Sequence, residues 1–221
     1  PYIPAMLEDM VAKGYARESM GALVVDIAEE TDTKELPPCI VRKSDGAAIY
    51  ETTDLATIIQ REKDFNPDRY LYVVDKRQDL HFVQVFRAAK KCGLLPAEKE
   101  LLFLGFGTVN GKDGKPFKTR DGGVMRLEHL LADINAEMLR KMTEGGKMDA
   151  AEAEATAKVV ALSAVKYGDL SNQASKDYVF DIDRFTSFEG DTGPYILYTI
   201  VRIKSILAKY VQNGGALEGI T

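Results

Sequence analysis

The chain has 221 residues, of which 45% are hydrophobic and 29% are charged, and its formal net charge is -5. This composition is ordinary for a globular protein with a packed core, and the negative charge excludes a general polyanion-binding surface. Two cysteines without a CxxC pair and two distant histidines exclude a disulfide framework and a zinc set.

The sequence favours a cytoplasmic location without contact with a membrane. No apolar run approaches the roughly 20 residues that span a bilayer, and the opening PYIPAMLEDM lacks the charged and apolar regions of a signal peptide. The cysteine pattern fits a reducing compartment. Because the chain lacks an initiator methionine and stops shortly after a helix, we also expect it to be a piece of a longer polypeptide.

The first part of the chain predicts a helix, a sheet ribbon and then an α/β alternation. Apolar spacing indicates a helix over 4–15, and GALVVDIAEE and PPCIVRKSDGAAIY supply two β-branched runs. After these runs we predict strands near 46–50, 70–75 and 101–106, with helices near 52–62 and 78–91. Strands that alternate with helices indicate βαβ units on a parallel sheet.

The later helices have recognisable faces and ends. The helix near 78–91 has a stripe suited to a crossover helix, made of Phe82, Val85, Phe86 and Ala89. Beyond the residues near 125 the pattern is helical, in MRLEHLLADINAEMLRKM, MDAAEAEATAKVVALSAVKY and a last helix. Thr192 is the predicted cap of that last helix and Pro194 lies in its first turn. Its apolar residues recur every three or four positions, at Ile196, Ile200, Ile203, Leu207 and Tyr210.

The stretch GKDGKPFKTRDGG, residues 111–123, has the composition of a phosphate-binding loop. Glycine lets the backbone approach a ligand closely, and cationic side chains suit phosphate oxygens. The cations are Lys112, Lys115, Lys118 and Arg120. A solvated surface loop is the alternative. The preceding GFGTVNG is not a dinucleotide fingerprint, since Asn110 replaces the third glycine and no helix opens there.

Tyr50 and Asp54 predict a site for a cationic substrate. If Tyr50 ends a strand and Asp54 begins a helix, both face the carboxyl edge of the sheet, where open α/β sheets bind ligands. A carboxylate accepts two hydrogen bonds from a guanidinium in fork geometry. A plain helix cap at Asp54 and an interior tyrosine are the alternative. His81 lies near a helix start, where anions are favoured, although a histidine there is more often a cap or a surface residue than a catalyst.

Six blocks of this sequence occur in the order and spacing of arginyl-tRNA synthetases. They are SDGAAIYETTDLA, VVDKRQDLHFVQVF, GFGTVNGKDGKPFKTRDGG, YGDLSN, DYVFDIDRFTSFEG and DTGPYILY. Over nearly all its length the chain resembles the second half of that family's catalytic region. The resemblance implies an α/β fold, in which the second half of a class I Rossmann-type parallel sheet is followed by an α-helical region.

The resemblance also implies a reaction and a division into segments. Such enzymes join arginine to ATP, which magnesium accompanies, and pass the arginyl group to tRNA(Arg). Residues 1–45 would end the connective insertion, and 46–125 would form the second half of the nucleotide-binding fold. Residues 126–190 would link it to the anticodon-binding domain, whose first helix would be 191–221.

Individual residues take roles from the resemblance alone. Those that would contact the arginine side chain are Tyr50, Asp54 and Gln78. Those assigned to ATP are His81, near the aminoacyl-adenylate, and the segment with Phe106, Gly107 and Val109, near the adenine. The glycine-rich loop corresponds to the family's lysine signature, with Lys118 and Arg120 as the main catalytic candidates and Lys115 as a weaker one. No metal ligand is implied.

The sequence departs from the family in two places. Proline stands where the signature has its first lysine, and no His-Ile-Gly-His motif occurs. Half of the ATP site is therefore expected to be missing, and we predict that the chain alone activates no arginine. A non-catalytic ATP-binding regulatory paralogue and an RNA-binding helical module over 126–221 are the alternatives. The oligomeric state is not predicted.

Overall fold

A computed structural model of the chain describes residues 2–116, 126–144 and 149–217. It divides into two compact units, Pro1–Phe106 and Gly107–Thr221, each with its own hydrophobic core. Helices alternate with strands and parallel strand pairs occur, which confirms the predicted α/β class. None of the described helices is long and apolar enough to cross a membrane. The four functional segments stay a prediction.

The first unit begins with the predicted helix and ribbon. Its elements are α1 (Tyr2–Ala12), β1 (Ala16–Ser19), β2 (Ala22–Val25) and β3 (Cys39–Arg42). The three strands form an antiparallel sheet in the order β1-β2-β3. The sequence did not predict β1, because ARES has a single apolar residue and pairs with β2 through a tight turn in which Gly21 has a φ of 78°.

The second half of this unit is a βαβ arrangement. It contains α2 (Tyr50–Phe65), β4 (Arg69–Asp75), a 3-10 turn (Lys76–Gln78), α3 (Asp79–Lys91) and β5 (Glu100–Phe106). Strands β4 and β5 pair in parallel, and α3 is the crossover that such a pair requires.

The predicted strand over 46–50 is wrong. Gly46 turns the chain with a φ of 85°, the following residues lie outside any strand, and Tyr50 is the first residue of α2. The β-branched and small residues of this stretch form no ladder because the backbone N–H of Ile49 donates instead to the Thr52 hydroxyl, 3.1 Å away. A local helix start thus replaces strand pairing.

The core of the first unit is formed by buried residues of α1, the three-stranded sheet, α2, α3 and β4. The predicted stripe on α3 is confirmed, since Phe82, Val85 and Ala89 are buried. The ring of Tyr72 on β4 packs 4.9 Å from that of Phe82 and 5.1 Å from that of Phe86, measured between centroids. Such pairs add roughly 1 kcal/mol each beyond their buried area. The other sheet face is exposed at Leu71, Val73, Leu102, Leu104 and Phe106.

A buried ion pair joins the end of α2 to the start of β5. Lys99 is only 7% exposed, and its ammonium nitrogen lies 2.6 Å from both Glu62 Oε2 and Asn66 Oδ1. Burial alone would raise the pKa of Glu62, but hydrogen bonds from Lys99 and Tyr70 hold that pKa below its usual value. The pair therefore stabilises the folded state most where Glu62 is ionised.

We expect Lys99→Met to lower the free energy of unfolding by about 3 kcal/mol at neutral pH, because it leaves the partly buried Glu62 carboxylate without its cation. The difference from the parent protein should narrow as the pH falls and Glu62 takes up a proton, since its folded-state pKa is the depressed one. Urea denaturation across pH measures both effects. Arg69→Met is the control, because its pair with Glu100 is exposed and should be worth less than about 1 kcal/mol. Equal losses in the two variants would show that burial adds nothing to the contribution of the Lys99–Glu62 pair.

The second unit is mainly helical. Its elements are β6 (Val109–Asn110), α4 (Leu127–Thr143), α5 (Ala150–Leu170), β7 (Tyr178–Val179), α6 (Ile182–Phe185) and α7 (Gly193–Gln212). Thr192 is confirmed as the cap of α7, since its hydroxyl accepts a hydrogen bond from the Tyr195 N–H at 3.2 Å. Helix α7 approaches α5 so closely that a Cβ on Gly193 would lie 2.2 Å from the Ser163 carbonyl oxygen. The predicted apolar positions of α7, from Ile196 to Tyr210, are exposed.

Candidate functional site

The start of α2 is held in place by a buried threonine. Thr52 has no exposed surface, and its hydroxyl donates to the Val41 carbonyl of β3 at 2.7 Å while it accepts from the Ile49 N–H. This pair of hydrogen bonds fixes the first turn of α2 against β3. The backbone positions from which the Tyr50 and Asp54 side chains extend are therefore fixed.

Two carboxylates of this turn flank one imidazole of α3. The Nε2 atom of His81 lies 2.7 Å from Asp54 Oδ2, and its Nδ1 atom lies 3.2 Å from Glu51 Oε1. The side chains of His81, Glu51 and Asp54 are 18%, 22% and 32% exposed. The Phe82 ring meets the imidazole edge-on at 4.8 Å. We call Glu51, Asp54 and His81 the His81 cluster.

The structure corrects the expected placement of Tyr50 and Asp54. Both belong to α2, where residues four apart share a face, so neither marks the junction of a strand with a helix. Tyr50 is 83% exposed, which removes the interior-tyrosine alternative. Asp54 lies more than one turn inside the helix, which removes the cap alternative.

The His81 cluster has the electrostatics of a cation site. Two carboxylates lie against one imidazole, so acidic groups outnumber basic ones in the cluster. The partial positive charge of the α2 N-terminus makes negative charge on these carboxylates easier to hold. Among the hydrogen bonds of the described residues, Asp54 accepts from His81 through Oδ2, and none involves Oδ1. Oδ1 and the second lone pair of Oδ2 remain for a donor.

Two buried residues near the His81 cluster, Tyr72 and Cys39, were not predicted as neighbours from the sequence. Burial raises the pKa of Tyr72, Arg61 partly offsets the rise and the Asp54 carboxylate adds to it. The Tyr72 hydroxyl has no hydrogen-bond partner among the described residues. Burial likewise raises the pKa of the Cys39 thiol to about 12, with a smaller contribution from Glu51. Both groups stay neutral beside the carboxylates.

Gln78 and Phe106 lie at the carboxyl ends of the parallel strands. Strand β4 ends at Asp75, which is paired with Phe106 at the end of β5. Gln78 closes the 3-10 turn that follows β4, is exposed, and does not cap α3 with its side chain. The Phe106 ring is 44% exposed. No described hydrogen bond joins Gln78 to the His81 cluster.

Gly107 and Val109 belong to the second unit, where their backbone is already engaged. The Gly107 N–H donates to the Ala174 carbonyl at 2.8 Å, and Val109 in β6 pairs with Tyr178 in β7. A Cβ on Gly107 would lie 2.1 Å from the Lys176 carbonyl oxygen. Glycine is thus required here by a close backbone approach within the protein, and the Gly107 N–H is not available to a ligand.

The described part of the glycine-rich loop is tied down at its first lysine. The Lys112 ammonium nitrogen lies 3.0 Å from Asp181 Oδ1 and 3.1 Å from Asp183 Oδ2, and these hydrogen bonds raise the pKa of Lys112. Lys115 is exposed and takes part in none of the ion pairs found between described residues. Lys118 and Arg120 lie outside the described residues.

Residues 1–182 match the family model described as the catalytic domain of class I tRNA synthetases of the arginine type, "tRNA synthetases class I (R), catalytic domain". The chain belongs to this class I arginyl-tRNA synthetase family. Two relatives called arginine–tRNA ligase are similar over almost the whole chain. That of Agathobacter rectalis is 66% identical over 226 residues, and that of Alkaliphilus oremlandii is 57% identical over 213 residues. The chain spans 38% and 36% of their lengths.

Solved structures of arginyl-tRNA synthetases share the fold. The enzyme from Plasmodium falciparum superposes with a TM-score of 0.76 at 25% identity, over 95% of this chain and 34% of its own. That from Thermus thermophilus superposes with a TM-score of 0.74 at 24% identity, over 94% of this chain and 40% of its own. The expected synthetase-type fold is confirmed.

Sequence reasoning missed Glu51 and Tyr72. Glu51 precedes Asp54 by three residues, which places both on one helix face, so the spacing itself was a usable signal. What it could not reveal was the imidazole 30 positions later that both carboxylates contact. Tyr72 alternates with exposed residues along β4, and that pattern signals burial without a role.

We expect Gly107→Ala in this synthetase chain to separate β6 from β7, because the added methyl group overlaps the Lys176 carbonyl oxygen. The cost should be about 1 to 3 kcal/mol, which is typical of overpacking. Hydrogen exchange of the peptide that contains β6 should speed up, and the melting temperature should fall. Thr108→Ala, which keeps the hydrogen bond from the Thr108 N–H to Asp177, is the control. Unchanged protection in Gly107→Ala would disprove the close approach.

Proposed function

We propose that this chain is part of an arginine–tRNA ligase in which Asp54, held in the His81 cluster, binds the guanidinium of arginine. The observation that carries the proposal is the pair of carboxylates around His81 at the exposed start of α2, with Asp54 still offering lone pairs. The relatives' names support it, since they denote an enzyme that joins arginine to tRNA.

The chemistry of each side chain suits that substrate. A guanidinium presents its donors in a planar fork, and a carboxylate accepts two of them in one plane. Tyr50 is exposed one turn before Asp54 and offers a ring face against which the cation or its methylene stem packs. Gln78 supplies an amide oxygen as a further acceptor.

The other substrates of the proposed ligase are ATP and tRNA(Arg). ATP, as its magnesium complex, would be held in the first unit near His81 and Phe106. Because the Gly107 and Thr108 N–H groups have internal partners, the Phe106 ring is the better candidate for the adenine. tRNA(Arg) would accept the arginyl group in the whole enzyme. A cytoplasmic location fits two buried, reduced cysteines.

Removal of the Asp54 charge tests the arginine site. In the full-length protein that carries this sequence, Asp54→Asn should raise the KM for arginine roughly a hundredfold in arginine-dependent ATP–pyrophosphate exchange with tRNA present. A buried charge pair truncated on one side loses about 2 to 5 kcal/mol, which corresponds to such a factor.

Asp64→Asn is the matched control, because it neutralises an exposed carboxylate at the other end of α2. An unchanged KM for arginine in Asp54→Asn would remove this residue from the site. A full-length protein without any arginine-dependent exchange would favour the regulatory-paralogue alternative.

The proposed catalytic role of the glycine-rich loop is tested by separate alanine substitutions. Lys118→Ala and Arg120→Ala should each lower kcat about a hundredfold or more with little change in the KM for arginine, since they would stabilise charge that develops on the departing pyrophosphate. Lys115→Ala should cost less. Lys112→Ala is the control, because Asp181 and Asp183 hold that lysine away from a substrate role. A loss in Lys112→Ala as large as that in Lys118→Ala would contradict the assignment.

A further inference from the structure

Glu51 has the position of a residue that acts through His81. It contacts Nδ1 of the ring, while Asp54 contacts Nε2, so the imidazole is held at both nitrogens. A ring held in this way cannot turn about its side-chain bonds without breaking both contacts. Since Glu51 and His81 are 22% and 18% exposed, water competes poorly for these atoms.

We propose that Glu51 is a positioning residue for arginine binding. Its carboxylate anchors His81, and His81 in turn holds Asp54 Oδ2, so that the Asp54 carboxylate keeps one orientation toward an arriving guanidinium. This inference rests on the proposed function, because it gives Glu51 a role only if Asp54 binds arginine. Glu51 itself would not contact the substrate.

The contact between Glu51 and His81 matters because it limits how the imidazole ring can turn. If Glu51 is removed, the ring loses the contact at Nδ1, one of the two that fix its orientation, and can turn so that Nε2 moves away from Asp54 Oδ2. Asp54 then loses its donor and is free to change rotamer.

The surroundings of Glu51 offer one competing explanation. Glu51 lies in the first turn of α2, where a negative charge stabilises the helix through its dipole. That role depends on charge, whereas the positioning role depends on an acceptor at Nδ1. Glu51→Gln separates them, because glutamine removes the charge and keeps a carbonyl oxygen of the same reach. Cys39 does not provide a second negative charge near Glu51, since burial raises the pKa of its thiol and keeps the thiol neutral.

The test uses the full-length synthetase that carries this sequence, with L-arginine as the probe. Glu51→Ala should raise the KM for arginine in pyrophosphate exchange, and the Kd for arginine in calorimetry, about tenfold, as expected for loss of one hydrogen bond to a charged group. Glu51→Gln should stay within about threefold of the parent, because it retains the acceptor. Asp64→Ala, on the same helix, should match the parent.

A double substitution makes the test specific to the route through Asp54. In an Asp54→Asn background, Glu51→Ala should add little further loss of arginine affinity, since contacts that act through one residue are not additive. Should Glu51→Ala lower the melting temperature, Glu51→Leu fills the same space without an acceptor and replaces it.

The outcomes are distinct. A full tenfold loss from Glu51→Ala in the Asp54→Asn background would overturn the inference, as would a Glu51→Gln variant as weak as Glu51→Ala. An unchanged arginine KM in Glu51→Ala alongside a raised one in Asp54→Asn would overturn the role of Glu51 and leave the proposed function standing. An unchanged KM in Asp54→Asn would overturn the proposed function itself.

Discussion

The first unit depends on the parallel pairing of β4 with β5. Parallel neighbours cannot be joined by a hairpin, so the chain must return through a crossover, and α3 makes that return over the sheet face lined by Tyr72. The crossover begins directly after the carboxyl end of β4 and therefore places the start of α3, with His81 in its first turn, beside that end. Helix α2 packs against α3 on the same core. The buried Thr52 hydroxyl then sets where α2 begins, which brings two carboxylates to one imidazole.

The resulting cluster shows how a structural residue and a functional one share a single network. Held only by backbone position, a half-exposed aspartate has several rotamers, and each competes with productive geometry for a guanidinium. The contact with His81 removes this freedom and occupies one lone pair of the Asp54 carboxylate. Glu51 removes the corresponding freedom of His81. Buried polar networks of this kind are favourable only when their members are satisfied together, which ties recognition to the packing of two helices.

The second unit uses backbone contacts in a comparable way. Gly107 meets the Lys176 carbonyl at a distance that excludes a side chain, and Thr108 donates its N–H to Asp177. The strand pair β6 and β7 then continues to Asp181 and Asp183, which hold Lys112. The glycine-rich loop is therefore anchored at its first lysine, Lys112, which is paired with these two carboxylates. The later cations lie outside the described residues, and their roles stay predictions.

The sequence by itself determined the alternation of helices and strands, the covered face of α3 and the cap of α7, because hydrophobic period and capping chemistry act over a few residues. It also determined the family, since six motifs in a fixed order are far more specific than any one of them. The strand predicted over 46–50 was wrong, because a local hydrogen bond from the Ile49 N–H to the Thr52 hydroxyl starts a helix there despite the β-branched residues. Only the tertiary structure decided that Glu51 and Asp54 meet His81, and that Gly107 serves an internal contact. These contacts join residues far apart in the chain, and no local pattern encodes which side chains a parallel crossover brings together.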